Sequence, residues 1–287
     1  MTDAVFISPH LDDAAMSCGG GIVRLVRTGG HVTVVSVVTA DQPAGVPLSP
    51  IARRSHASWG AGDSPLAARQ DEDRAALAVL GALPQHLGQL DAIYRRSPAG
   101  DALYADPLAP ITADDTERFF PRIVEALRSS ALLASPDAVV FCPMGVGGHV
   151  DHVLVRRAVE ELIDAEDLVY YEEYPYSARP GVAPPAGGGD AEWPPQLLAL
   201  TPEEVEARIS AVACYSSQLR GLFPSDAERL REIVATRIPI LGSHVVRPPD
   251  VRASAKRMAE RVREDVAAVG GERYRWSPRR GSPFPPV

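Results

Sequence analysis

A chain of 287 residues is long enough to bury a substantial core, as one large domain or two modest ones. Its 29 basic and 37 acidic residues leave a formal charge of −8, which removes any global attraction to nucleic acid or anionic lipid. Hydrophobic residues make up 45%, as in ordinary soluble proteins, and no stretch approaches the ~20 apolar residues of a membrane span. The cysteines Cys18, Cys142 and Cys214 form no CxxC pair, and the start MTDAVFISPH has neither the basic region nor the apolar run of a signal peptide. A soluble, cytoplasmic protein with reduced thiols is the expectation, with no nucleic-acid and no membrane partner.

In chain order, AVFIS (4–8) is a short apolar run that stops at Pro9 and reads as a buried strand. Residues 12–28 carry Ile22, Val23, Leu25 and Val26 at helical spacing, ended by Gly29 and Gly30. HVTVVSVVT (31–39) is rich in β-branched residues and predicts a second strand. Residues 40–65, with prolines at 43, 47, 50 and 65, read as a long loop, and 66–80 as a helix ended by Gly81. A further loop over 97–110 precedes a helix pattern at 112–129. DAVVFCPM (137–144) is a buried strand, 152–165 a helix and LVYYEEYPY (168–176) another strand. Residues 177–195 form a Pro/Gly-rich excursion, Thr201 begins a capped helix to Cys214, 251–269 is the last helix and 277–287 a Pro-rich tail. This order predicts one α/β domain over 1–287: a Rossmann-like, doubly wound, mostly parallel sheet with helices on both faces and long loops at the strand C-terminal edge, where ligands bind.

Two segments stand at such edges. Pro9-His10-Leu11-Asp12-Asp13 lies where the first strand hands over to a helix, and His10 and Asp13, three apart, can face one side while Asp12 projects elsewhere. Gly147-Gly148-His149-Val150-Asp151-His152 follows a later strand and also opens a helix. Taken singly, each segment is open to a structural explanation: an aspartate capping a helix beside a buried or solvated histidine. Together they gather three of the chain's seven histidines with three aspartates at one predicted edge. His, Asp and His are donor types that Zn²⁺ accepts, and three protein ligands leave a position open for chemistry. Fe²⁺, Co²⁺ and Ni²⁺ suit the same donors. The run Gly19-Gly20-Gly21 belongs to neither GxGxxG nor GxxxxGK[ST], so it is read as permitting close packing or close substrate approach, and a nucleotide-binding Rossmann domain is disfavoured.

PHLDD followed by HVDH resembles the LmbE-like (PIG-L) family of zinc-dependent N-acetylglucosamine deacetylases, whose pattern is PHxDD and then HxDH. Arg69-Gln-Asp-Glu72, Asp91 in LDAIYR, YEEYPY and Tyr215-Ser216-Ser217-Gln218 extend the resemblance over about residues 4–220. It implies His10, Asp13 and His152 as zinc ligands and Asp12 as the general base. It implies His149 beside the substrate carbonyl, stabilising the oxyanion and, if protonated, adding positive charge there. Asp151 would orient a neighbouring histidine, and Arg69 and Asp91 would contact the sugar. The implied reaction removes an N-acetyl or other N-acyl group from an amino sugar or glycosylated small molecule, as in natural-product biosynthesis. Leu11 stands where the family usually has Pro, and Ala14 where it has Glu, which leaves the ligands intact but alters their surroundings. The alternatives are an amidase for a bulkier acyl- or thiol-conjugated amide, and a sugar-binding module without catalysis. Oligomeric state is not legible.

Overall fold

The computed structural model describes residues 2–60, 65–131, 137–179, 181–182, 193–223, 251–277 and 281–285. Most of the Pro/Gly-rich excursion expected at 177–195 therefore lies outside the described residues. Among them, seven strands form one sheet: β1 (Ala4–Ser8), β2 (Val32–Val38), β3 (Leu83–Gln89), β4 (Val139–Pro143), β5 (Leu168–Tyr171), β6 (Gln196–Leu198) and β7 (Glu272–Trp276), in the order β3-β2-β1-β4-β5-β7-β6. The first five are parallel, and β7 and β6 extend the sheet antiparallel beyond β5. The expected mostly parallel α/β sheet is present. Described helices are α1 (Asp13–Arg27), α2 (Pro50–Trp59), α3 (Pro65–Leu80), α4 (Phe120–Arg128), α5 (Val150–Glu160), α6 (Pro202–Val212), α7 (Ser216–Leu222) and α8 (Val251–Val269). None is long and apolar enough to cross a membrane.

The alternation of strand side chains builds two cores. Ala4 and Phe6 of β1, Val139 and Phe141 of β4, and Val169 and Tyr171 of β5 join one cluster with α1 and α3. Val5 and Ile7, Val140 and Cys142, Leu168 and Tyr170 join a second cluster with α4 and α5 on the opposite face. Period-two side chains on strands buried from both sides produce this doubly wound arrangement.

Of the described elements, α2, β3, β6, β7 and α7 were not expected from the sequence, and β5 ends at Tyr171 within the strand expected over 168–176. α2 lies inside the segment read as loop: Pro50 occupies its first turn, where a missing N–H costs nothing, and the Ser49 side chain accepts from Ala52 N. β3 is a polar edge strand containing Pro84, tolerated because one of its sides needs no partner. β6 and β7 were not anticipated, although Glu272, Tyr274 and Trp276 of β7 are buried in alternation with Arg273 and Arg275. The tail, too, is partly anchored, since buried Phe284 packs on Phe141 and Tyr274.

The glycine run of α1 serves close packing. Without side chains there, the buried Glu272 carboxylate accepts the N–H groups of Gly20 at 2.8 Å and Gly21 at 2.9 Å. A Cβ on Gly21 would fall 2.6 Å from the Tyr274 hydroxyl and 2.9 Å from the Phe284 ring, whereas one on Gly20 would meet chiefly the mobile end of Leu200. Gly21→Ala is therefore expected to lower stability by about 1–3 kcal/mol through overpacking, despite the helix propensity of alanine. Chemical denaturation checks this, with Gly20→Ala expected to lose less.

Candidate metal centre

β1 and β4 are hydrogen-bonded neighbours, and the chain continues from them towards opposite edges of the sheet. Such a reversal opens a crevice at the strand C-termini. Both histidine-containing segments end there, which brings residues ~140 positions apart into contact.

The turn after β1 frees its acids from capping. The Ser8 hydroxyl accepts the Ala14 N–H at 3.0 Å, and Asp12, at the N-cap position of α1, makes no capping bond. The Asp13 Oδ2 atom accepts the His10 backbone N–H at 2.8 Å and stands 3.2 Å from His10 Nδ1 and 3.3 Å from His152 Nε2. After β4, Gly147 has φ +87°, and a Cβ there would strike the Tyr176 ring at 2.7 Å, so glycine is required in this loop. The His149 ring, not Asp151, caps α5, with Nδ1 accepting the Asp151 N–H at 3.2 Å. Asp151 is thereby left to receive the Ala92 N–H at 3.1 Å and to contact His10 Nε2 at 3.2 Å.

Among the described residues, two sets of ligand-type atoms converge within 4.8 Å: His10, Asp13 and His152, and His10, His149 and Asp151. Their chemistry separates them. In the second set the Asp151 carboxylate is already engaged by Arg95, Ala92 and His10, and His149 Nδ1 by a backbone N–H. In the first set each imidazole turns one nitrogen towards Asp13 and is held at the other by a carboxylate, His10 by Asp151 and His152 by Glu173, both at 3.2 Å. Carboxylate-backed imidazoles beside a carboxylate oxygen are the donor arrangement a divalent metal ion takes. The first set fits such an ion better than the second.

Electrostatics divides the two adjacent acids. Burial alone would raise Asp13, but His152 and His10 outweigh it and hold the carboxyl well below the usual range. Burial, reinforced by Asp13, instead pushes Asp12 above the usual carboxylate range, with Arg69 opposing at 3.6 Å. Burial, with His10 and His152 nearby, lowers His149 to about 3. Burial and the two neighbouring imidazoles thus disfavour the protonated form of His149. Because Nδ1 accepts a hydrogen bond, the proton sits on Nε2.

These groups line a cavity of about 470 Å³. Arg69 and Asp91, expected to touch substrate, are on its wall. Arg69 is buried and lies over the Trp59 ring at 4.5 Å, and its Nε donates at 2.9 Å to the Gln218 amide oxygen when that amide is turned to face it. Asp91 accepts the Ile93 N–H at 3.0 Å and stands 3.8 Å from His10 Nε2. Ile51, Arg54 and Trp59 of the unforeseen α2 close one side. Sequence reasoning missed Glu173 as the partner of His152, although YEEYPY had been singled out, and missed Arg95 altogether. Glu72 of the RQDE segment is not at the cavity but receives Ser216 Oγ at 2.6 Å and Ser217 N at 2.9 Å, docking α7 on α3.

The chain thus carries a candidate His₂Asp metal site at the switch point of a doubly wound α/β fold, flanked by a further buried carboxylate. The PIG-L family, described as GlcNAc-PI de-N-acetylase, matches residues 5–163, and the chain belongs to that family. A 2'-N-acetylparomamine deacetylase of Streptomyces fradiae is 29% identical over 184 residues, 61% of this chain and 58% of that protein, so the match spans little more than half the relative's length. One of the same description from Niallia circulans is 29% identical over 239 residues, 78% of this chain and 83% of its own. The crystal structure of a teicoplanin deacetylase in its zinc-inhibited form superposes with a TM-score of 0.71 at 25% identity, over 96% of this chain and 97% of that one.

If His149 donates to an oxyanion, His149→Phe is expected to lower kcat by roughly 10²–10³-fold with little change in metal content. Steady-state kinetics beside metal analysis checks this.

Proposed function

We propose that this chain is a divalent-metal-dependent N-deacetylase acting on an N-acetylated amino sugar of a natural product. The observation that carries the reading is Asp12: a buried carboxylate on the cavity wall, free of helix capping and outside the His10/Asp13/His152 set. The family and the activities named for its relatives, on 2'-N-acetylparomamine and teicoplanin, support the substrate class. So does the volume of about 470 Å³, within the ~300–1,000 Å³ of sites for drug-sized ligands.

His10, Asp13 and His152 would hold the ion, with Zn²⁺ first among candidates. When bound, it supplies Lewis acidity towards an amide carbonyl and a water molecule. Asp12 takes the proton of the attacking water and returns one to the departing amine. Arg69 holds Asp12 in place across 3.6 Å. His149 donates its Nε2 proton to the oxygen of the tetrahedral intermediate, a contact that strengthens as charge develops there. Asp151 and Glu173 orient the two ligand imidazoles. Arg69 and Asp91 meet the sugar hydroxyls.

Mass spectrometry of metal-loaded protein with N-acetylated aminoglycoside precursors, glycopeptide pseudoaglycones and simple N-acetyl amino sugars tests the reading. Loss of an acetyl group and release of acetate from at least one of these is expected. Exclusive release of a larger acid from N-acyl conjugates would favour the bulky-amide reading instead, and turnover of none would refute deacetylation.

A further inference from the structure

From His10 on the cavity wall, a chain of buried charges runs to residues that do not line the cavity. His10 Nε2 meets Asp151 Oδ2 at 3.2 Å, and the other oxygen of Asp151 receives Arg95 Nη2. Arg95 Nη1 reaches both oxygens of Asp115 at 3.0 and 2.9 Å, and its Nε donates to the Leu90 carbonyl at 3.0 Å. Tyr104 donates its hydroxyl to Asp115 Oδ2 at 2.6 Å. Arg95 is 1% exposed, and Asp115 and Asp151 are 0% exposed.

Asp115 opens a π-helical turn (Asp115–Phe119) immediately before α4, where Pro121 has no N–H to continue regular hydrogen bonding. This places a carboxylate at the depth of the arginine fork.

Loop stapling alone needs no such construction. Arg95 lies between two fully buried carboxylates, and its planar fork fixes the rotation of the Asp151 carboxylate. That rotation decides whether Oδ2 faces His10 Nε2, and hence where His10 Nδ1 points. We propose that Arg95 and Asp115 are positioning residues for the metal centre, acting on His10 through Asp151. The inference rests on the reading of His10, Asp13 and His152 as a metal site. It gives Arg95 and Asp115 a role that the LDAIYR motif, read for Asp91, did not announce.

The test uses Co²⁺ as probe on the full chain. Its dissociation constant and visible absorption spectrum are measured for wild type, Arg95→Lys and Asp115→Asn, beside the melting temperature of each metal-free protein. Arg95→Lys keeps the charge but loses the fork, and is expected to weaken Co²⁺ binding on the order of 10-fold or more and to alter its spectrum. Asp115→Asn, similar in shape, is expected to shift both in the same direction and decides the matter if Arg95→Lys does not fold. Wild-type affinity and spectrum in the folded variants, whatever their melting temperatures, would reduce the network to loop stapling and overturn the proposal. Failure of the wild type itself to bind Co²⁺ would sink the metal-site reading and this inference together. Intact binding without deacetylation would count only against the proposed reaction.

Discussion

Asp12→Asn is expected to retain fold and metal while losing roughly 10²–10⁴-fold in kcat, the range a positioned general base contributes. The substitution preserves shape. It removes a charge that burial and the neighbouring Asp13 both disfavour, so metal-free stability should be unchanged or slightly raised. Helix α1 loses no cap, because Ser8 and not Asp12 receives the Ala14 N–H. Metal affinity should persist, since Asp12 is outside the convergent His10/Asp13/His152 set. Kinetics on an authentic substrate, with metal content measured in the same preparation, checks the outcome. A near-normal rate would show that another group accepts the proton.

His152→Ala has the other large effect, and on the opposite quantity. His152 is 1% exposed, with Nε2 3.3 Å from Asp13 and Nδ1 3.2 Å from Glu173. Its removal takes one of three ligands, so metal affinity should fall by more than the ~10–100-fold typical of losing an outer partner, with turnover falling alongside. The chain should still fold. Glu173 keeps the N–H groups of Gly145 at 2.6 Å and Val146 at 3.1 Å, so the loop after β4 retains its anchor. Calorimetric metal titration and circular dichroism together check this, and a variant that binds metal as the wild type does would remove His152 from the ligand set. Chelation of the wild type should give the same loss of turnover, restored on returning one equivalent of metal.

The pairing of the two histidine segments was legible because each sits directly after an apolar run. Buried parallel strands announce themselves by β-branched residues, and their C-termini carry ligands. What remained hidden depends on contacts with no local periodicity. α2 was masked by prolines that mark its start as well as a loop, yet Ile51, Arg54 and Trp59 line the cavity. β3 carries too many polar residues for a pattern reading, as an edge strand can. β7 alternates legibly but lies between a helix and a Pro-rich tail, and its place beside β5 is a tertiary fact. Arg95 looks like any loop arginine, and only the fold reveals that it is buried between Asp115 and Asp151. Glu173 had a faint signal, a carboxylate just beyond a buried strand, without anything to name its partner. The lowered pKa of His149 also follows from burial beside His10 and His152, an effect that sequence spacing does not convey.

Anomalous diffraction from crystals grown with one equivalent of Co²⁺ or Zn²⁺ reaches the central claim most directly. The account predicts one peak about 2.0–2.2 Å from His10, Asp13 and His152, with the Asp12 carboxylate beside it and unligated. A peak held by His149 and Asp151, or a coordination sphere that includes Asp12 and omits His152, would contradict it.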